Sequence, residues 1–146
     1  MNTNEISEYF NRDLICRKIF YSVYPANKIP KLGSLPALTV CNTDTSSWPG
    51  EHLIALYVDE NGRGEYFDSM GRFPTKWFKT FLDVNCTAWI WNEKQLQCVI
   101  STFCTHCCIF YCLYRCRGVD ASKVSKMFTK GTSLNDSIVH NFECNV

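Results

Sequence analysis

The sequence predicts an α+β fold from three observations. β-rich runs occupy the middle of the chain, amphipathic helical stripes flank them at both ends, and residues 104–117 are apolar almost all round. That last pattern suits a helix buried against a sheet. The expected architecture is a central, mostly antiparallel sheet packed on a buried helix, with a cysteine at the helix N-terminus.

Each element has its own signal. Residues 4–22 carry Ile6, Tyr9, Phe10, Leu14 and Ile15 as a helical stripe. Pro25, Pro30, Gly33 and Pro36 mark an irregular stretch over 25–36. ALTVCN then reads as a strand and TDTSSWPGE as a polar loop. HLIALYVDE and GEYFDS flank Asn61-Gly62, a tight-hairpin signal that pairs Asp59 with Gly64 and Ala55 with Asp68, antiparallel. Trp77, Phe78, Phe81 and Leu82 stand at helical spacing behind Thr75, an N-cap candidate, and TAWIWN alternates as a further strand. The buried helix ends at Gly118. Two more helices follow, one from Asp120 with Val124 and Phe128 inward, the other from Asn135 with Ile138, Val139 and Phe142 inward.

The 146 residues are expected to form one domain, 1–146, and a chain of this length buries roughly 68–70% of its unfolded surface. An apolar content of 46% excludes disorder, and 15 basic against 14 acidic residues give no electrostatic reason to expect nucleic acid as main partner. No apolar run approaches 18 residues, and MNTNEISEYF lacks a basic region followed by an apolar one; the expectation is neither secretion nor a membrane partner. Six of the ten cysteines, Cys98, Cys104, Cys107, Cys108, Cys112 and Cys116, crowd around one apolar segment. Adjacent cysteines on one element reach separate partners poorly, so reduced thiols in an intracellular setting, nucleus or cytoplasm, are expected.

Four residues carry candidate chemistry. Cys104 opens the buried helix, where unpaired N–H groups and the helix dipole favour a thiolate. His52 opens a strand directly after a loop and can present its imidazole to a cleft. Asp68 closes the partner strand of the hairpin, at the same end of the sheet, where a carboxylate orients an imidazole. Gln97, seven residues before Cys104, offers an amide donor to a developing oxyanion. Competing assignments are plainer: His106 as a core group, His140 as a solvent-facing helical residue, Glu51 and Glu65 as less well placed carboxylates.

Together GEHLIALYVDENGRGEYFDSMGRFP, WNEKQLQCVISTFCTHCCIFY and NDSIVHNF resemble the adenovirus-type (adenain-like) cysteine proteases, in particular those of Polinton/Maverick virus-like elements. The same clan includes the SUMO-specific (Ulp-like) proteases. The resemblance runs from about Arg17 to Phe142 and implies a papain-like core. It assigns the order His, Asp, Gln, Cys to His52, Asp68, Gln97 and Cys104. Two positions depart from the family pattern: Leu53 stands where Trp is usual after the His, and Thr105 where Gly is usual after the nucleophile. Both bear on cleft shape.

The implied function is a thiol endopeptidase cleaving after small residues, Gly-Gly or Gly-X, and maturing capsid or other precursors of a virus-like element. The alternatives are an isopeptidase acting on SUMO- or ubiquitin-like tails, and a weakly active relative that only binds them. The implied partners are a polypeptide substrate and, by family alone, an activating peptide or DNA, with no required cofactor; a monomer, intracellular or in a virion-like particle, is expected. Basic residues gather as Arg12, Arg17, Lys18, Lys28 and Lys31, and again as Arg115, Arg117, Lys123, Lys126 and Lys130, but read most simply as solvated helix faces. A zinc module through Cys104, His106 and Cys107 is disfavoured because its ligands share one segment. Cys104, Cys108, Cys112 and Cys116 form instead a stripe of small residues suited to close packing.

Overall fold

The computed structural model describes residues 1–47, 52–96, 103–128, 135–139 and 141. Five strands form one sheet in the order β1-β2-β3-β4-β5, comprising β1 (Phe20–Pro25), β2 (Ala37–Asn42), β3 (Leu53–Val58), β4 (Arg63–Phe67) and β5 (Ala88–Trp91). The β2–β3 and β3–β4 pairings are antiparallel, whereas β1 and β5 join the edges in parallel. The α+β class is as expected, with a sheet antiparallel at its centre and parallel at its edges.

Helices cover both faces. On one side lie α1 (Thr3–Arg12), α3 (Cys104–Cys116), α4 (Ala121–Lys126) and α5 (residues 135–139); on the other lies α2 (Lys76–Asn85). Alternation along the strands divides the core: Ala55, Tyr57 and Phe67 face α3, while Ile54, Leu56 and Tyr66 face α2. On α2, Phe78, Phe81 and Leu82 are buried as expected; Trp77 is 43% exposed and off the stripe. Fully burying one such side chain stabilises by about 1.5–3 kcal/mol.

Two sequence expectations change. The first helix stops at Arg12, because the Asp13 carboxylate accepts from the N–H groups of Ile15 (2.9 Å) and Cys16 (2.8 Å) and turns the chain. Leu14 and Ile15, expected on the apolar stripe, are 65% and 42% exposed, and residues 20–22, expected to close the helix, open β1. The hairpin register also moves by one residue. Ala55 pairs with Phe67 and Val58 with Gly64, not Ala55 with Asp68. No non-glycine residue among those described has positive φ, so Asn61 does not make the two-residue turn. Gly62 alone has φ +79°, and Asp59 Oδ1 accepts from Asn61 and Arg63 N–H (2.9 Å each), giving a three-residue connection. The shift places Ala55 and Phe67 on one face beneath α3.

The helix α3 begins and ends where the sequence indicates. At its C-terminus Gly118 N–H donates to Arg115 O (3.0 Å) and Val119 N–H to Tyr114 O (3.1 Å), a Schellman closure. Arg115 of α3 pairs with Glu65 of β4 (2.7 Å), and Tyr111 donates its hydroxyl to the same carboxylate. This network fixes how α3 crosses the strands. After α3, Val124 and Phe128 are buried on the inner side of α4, and Val139 of α5 is buried with Ile138 half-buried; Phe142 lies outside the described residues.

Candidate active site

The β2–β3 ladder delivers His52. Its carbonyl accepts from Thr43 N–H (2.9 Å), continuing the pairing one step past Leu53, so the imidazole emerges at the end of the sheet. Asp68 follows the last residue of β4, next to it in space despite the shifted register. His52 Nε2 lies 2.6 Å from Asp68 Oδ1, with the imidazole side chain 14% exposed and the carboxylate 2%. The same Oδ1 accepts from Met70 N–H (2.8 Å), which fixes the carboxylate's direction.

Cys104 is the first residue of α3, half-buried, and its thiol is coupled electrostatically to the His52 imidazole. With Nε2 committed to Asp68, Nδ1 is the ring nitrogen left for the sulfur. Leu53 N–H and the Thr105 hydroxyl also favour a charged sulfur. Burial alone would raise the Cys104 thiol; the imidazole, the Leu53 N–H and the Thr105 hydroxyl outweigh it and lower the pKa below the ordinary value. For His52, burial opposes the charge, but the Asp68 carboxylate and Cys104 sulfur prevail and push it up to about 9. Each group favours the charged form of the other.

Three of the four sequence candidates therefore converge: His52, Asp68 and Cys104. Gln97 lies outside the described residues, as do His140 and Glu51. The competing carboxylate Glu65 is turned towards α3, held by Arg115 and Tyr111. His106 packs its ring 4.9 Å from Phe103. Thr105, which departs from the family pattern, is among the groups that lower the Cys104 pKa.

Sequence reasoning missed Asn92. It follows β5 directly, and its carboxamide brackets the Asp68 backbone, accepting from the N–H (2.8 Å) and donating to the C=O (2.5 Å). The available signal was an amide residue ending the alternating run TAWIW. Behind it, Leu96 N–H donates to Ser69 O (2.8 Å), and the buried Asn135 donates to Leu96 O (3.0 Å).

The eight cysteines among the described residues are free thiols, and no group of three or more His, Cys, Asp or Glu there is arranged to hold a metal ion. No helix among the described residues is long and apolar enough to cross a membrane. Arg115 and Arg117 of the second basic group are engaged internally, with Glu65 and with Asp13 (2.6 Å).

No protein-family model and no curated protein sequence matches the chain. Solved structures do. The crystal structure of ASFV pS273R protease superposes with a TM-score of 0.61 at 20% identity, covering 93% of this chain and 64% of that one. Its Se-Met form gives 0.62 at 19%, with the same coverage. The chain thus has the fold of a viral protease and spans a little under two thirds of its length.

Proposed function

We propose that this chain is a cysteine endopeptidase of the adenain/Ulp type. The carrying observation is a single imidazole joined to a buried carboxylate on one side and, on the other, to a thiol at a helix N-terminus. Similarity of fold to a viral protease supports the same reading.

In the proposed mechanism the Cys104 thiolate attacks a peptide carbonyl carbon, and the carbonyl electron pair moves to oxygen. The Cys104 N–H, at the start of α3, and the Gln97 side-chain amide stabilise that oxyanion. The tetrahedral adduct collapses, the C–N bond breaks, and His52 passes its proton to the departing amine. Neutral His52 then takes a proton from water, which attacks the thioester; the acid leaves and the thiolate–imidazolium pair is restored. Asp68 holds the ring tautomer and favours its charged form. The cycle uses side chains of this chain and requires no metal or organic cofactor.

The proposed substrates are polypeptides cut after small residues of Gly-Gly or Gly-X type. Precursors of a virus-like element, processed inside the cell or in a particle, are the natural candidates, with a peptide or DNA as activators by kinship. A proteome-derived peptide library, profiled with the wild-type chain and Cys104→Ala, tests this. Cleavage after small residues by the first and none by the second supports it. Absence of cleavage by both, with Cys104 unlabelled by a Gly-Gly-vinyl-sulfone, overturns it; selective cleavage of SUMO- or ubiquitin-like tails replaces the endopeptidase by an isopeptidase.

A further inference from the structure

The parallel ladder between β4 and β5 ends at Tyr66 and Trp91. One step further, the strand is replaced by a side chain. Asn92 Oδ1 accepts from Asp68 N–H (2.8 Å) and Nδ2 donates to Asp68 C=O (2.5 Å), so both backbone groups of Asp68 are held by one carboxamide. Nδ2 also reaches Lys94 O (3.3 Å), which ties the amide to its own segment. Every hydrogen-bonding atom of the carboxamide is thereby engaged.

The segment that carries Asn92 is itself pressed onto the turn that carries Asp68. Gly71 closes that turn with φ +68°, and a Cβ there would stand 2.8 Å from Gln95 N and Lys94 C. Leu96 N–H donates to Ser69 O (2.8 Å) along the same seam. Asp68 thus has its main chain fixed from the Asn92 side and its carboxylate shared between His52 Nε2 (2.6 Å) and Met70 N–H (2.8 Å).

We propose that Asn92 is a positioning residue for the His52–Asp68 pair, clamping the Asp68 main chain so that its carboxylate stays aimed at the imidazole. The proposal rests on the reading of these residues as the working pair of a cysteine protease. It follows from geometry: the direction of a short side chain is set by its Cα–Cβ bond, and a displacement near 1 Å in a catalytic group costs on the order of 10²-fold in rate. A merely structural Asn92 would contribute its hydrogen bonds to stability and leave the titration of His52 alone.

The test follows the His52 ring by ¹⁵N–¹H NMR against pH, assigned by comparison with His52→Ala. In Asn92→Ala the His52 midpoint is expected to fall by about one pH unit relative to wild type, as its carboxylate partner becomes mobile. Asn85→Ala, which removes an amide bond to Phe81 O at the far end of α2, should leave the midpoint in place. Asn92→Ser, too short to meet both backbone groups, provides the same reading where Asn92→Ala does not fold. An unchanged midpoint in folded Asn92 variants, or loss of fold in both, overturns the positioning role while the proposed protease stands. A wild-type His52 titrating near its ordinary 6.5 overturns the protease site and this inference together.

Discussion

Cys104 and Cys108 stand one helical turn apart on α3, yet the fold treats their thiols oppositely. The backbone of Leu53 lies between them. Its N–H lowers the Cys104 pKa, whereas its C=O accepts from the Cys108 thiol (3.2 Å). The first contact favours a thiolate, the second a thiol. Burial pushes Cys108 far up, and the nearby Cys112 and Cys104 sulfurs add to it; Cys112, also fully enclosed, moves the same way. Of these three, Cys104 alone is lowered despite its burial, with the His52 imidazole the foremost cause after burial. The lesson is that residue type and helical spacing mark a packing stripe, while a strand end on the facing sheet gives one member a thiol pKa below the ordinary value.

Breaking that contrast directly gives the largest effect. Cys104→Ala is expected to abolish peptide cleavage with the melting temperature nearly unchanged, because the residue is half-buried and its loss leaves little void. Cys112→Ala should do the reverse: cleavage retained, with stability lower by about 1 kcal/mol, read by denaturant unfolding. Loss of activity in Cys112→Ala with Cys104→Ala active would invert the assignment.

Asp68→Asn sharpens the comparison from the histidine side. The amide keeps the size but not the charge that holds His52 protonated, so a decrease in kcat/KM of about 10²-fold is expected, smaller than the loss of the nucleophile. The pH profile gives the finest distinction. Cleavage needs the Cys104 thiolate and the His52 proton together, so the rate should rise through the lowered thiol pKa and fall again above about 9 as His52 deprotonates. A profile still climbing at pH 10 would place the proton donor elsewhere. For stability, the raised His52 pKa contributes fully below 6.5 and is lost as pH rises through about 9, while the lowered Cys104 pKa contributes above its ordinary 9.0 and is lost as pH falls through its depressed value. Between the depressed Cys104 value and 9 the two slopes oppose each other, so the melting temperature should vary less than the activity there.

Much of this arrangement was legible in the sequence, for identifiable reasons. The apolar run from Cys104 and the strand runs around Asn61-Gly62 are strong local patterns, so α3, β3 and β4 were found, and with them His52, Asp68 and Cys104 at one end of the sheet. The exact register was not legible, because Asn-Gly fits both two- and three-residue turns; Asp59, by accepting from Asn61 and Arg63, selects the longer one. β1 was hidden behind residues whose spacing also fits a helix, until the Asp13 carboxylate stopped that helix. The parallel placement of β5 and the bracket of Asn92 on Asp68 are long-range facts, and no local pattern carries them.

The most direct test of the thiolate–imidazolium pair is the rate of iodoacetamide alkylation at each cysteine, resolved by mass spectrometry from pH 4 to 10, in wild type and His52→Ala. Selective modification of Cys104 with a midpoint below the ordinary 9.0, moving up to or above that value in His52→Ala, is the predicted result. Alkylation of Cys104 at the ordinary midpoint in both proteins, or no faster than at Cys107 and Cys108, would contradict it.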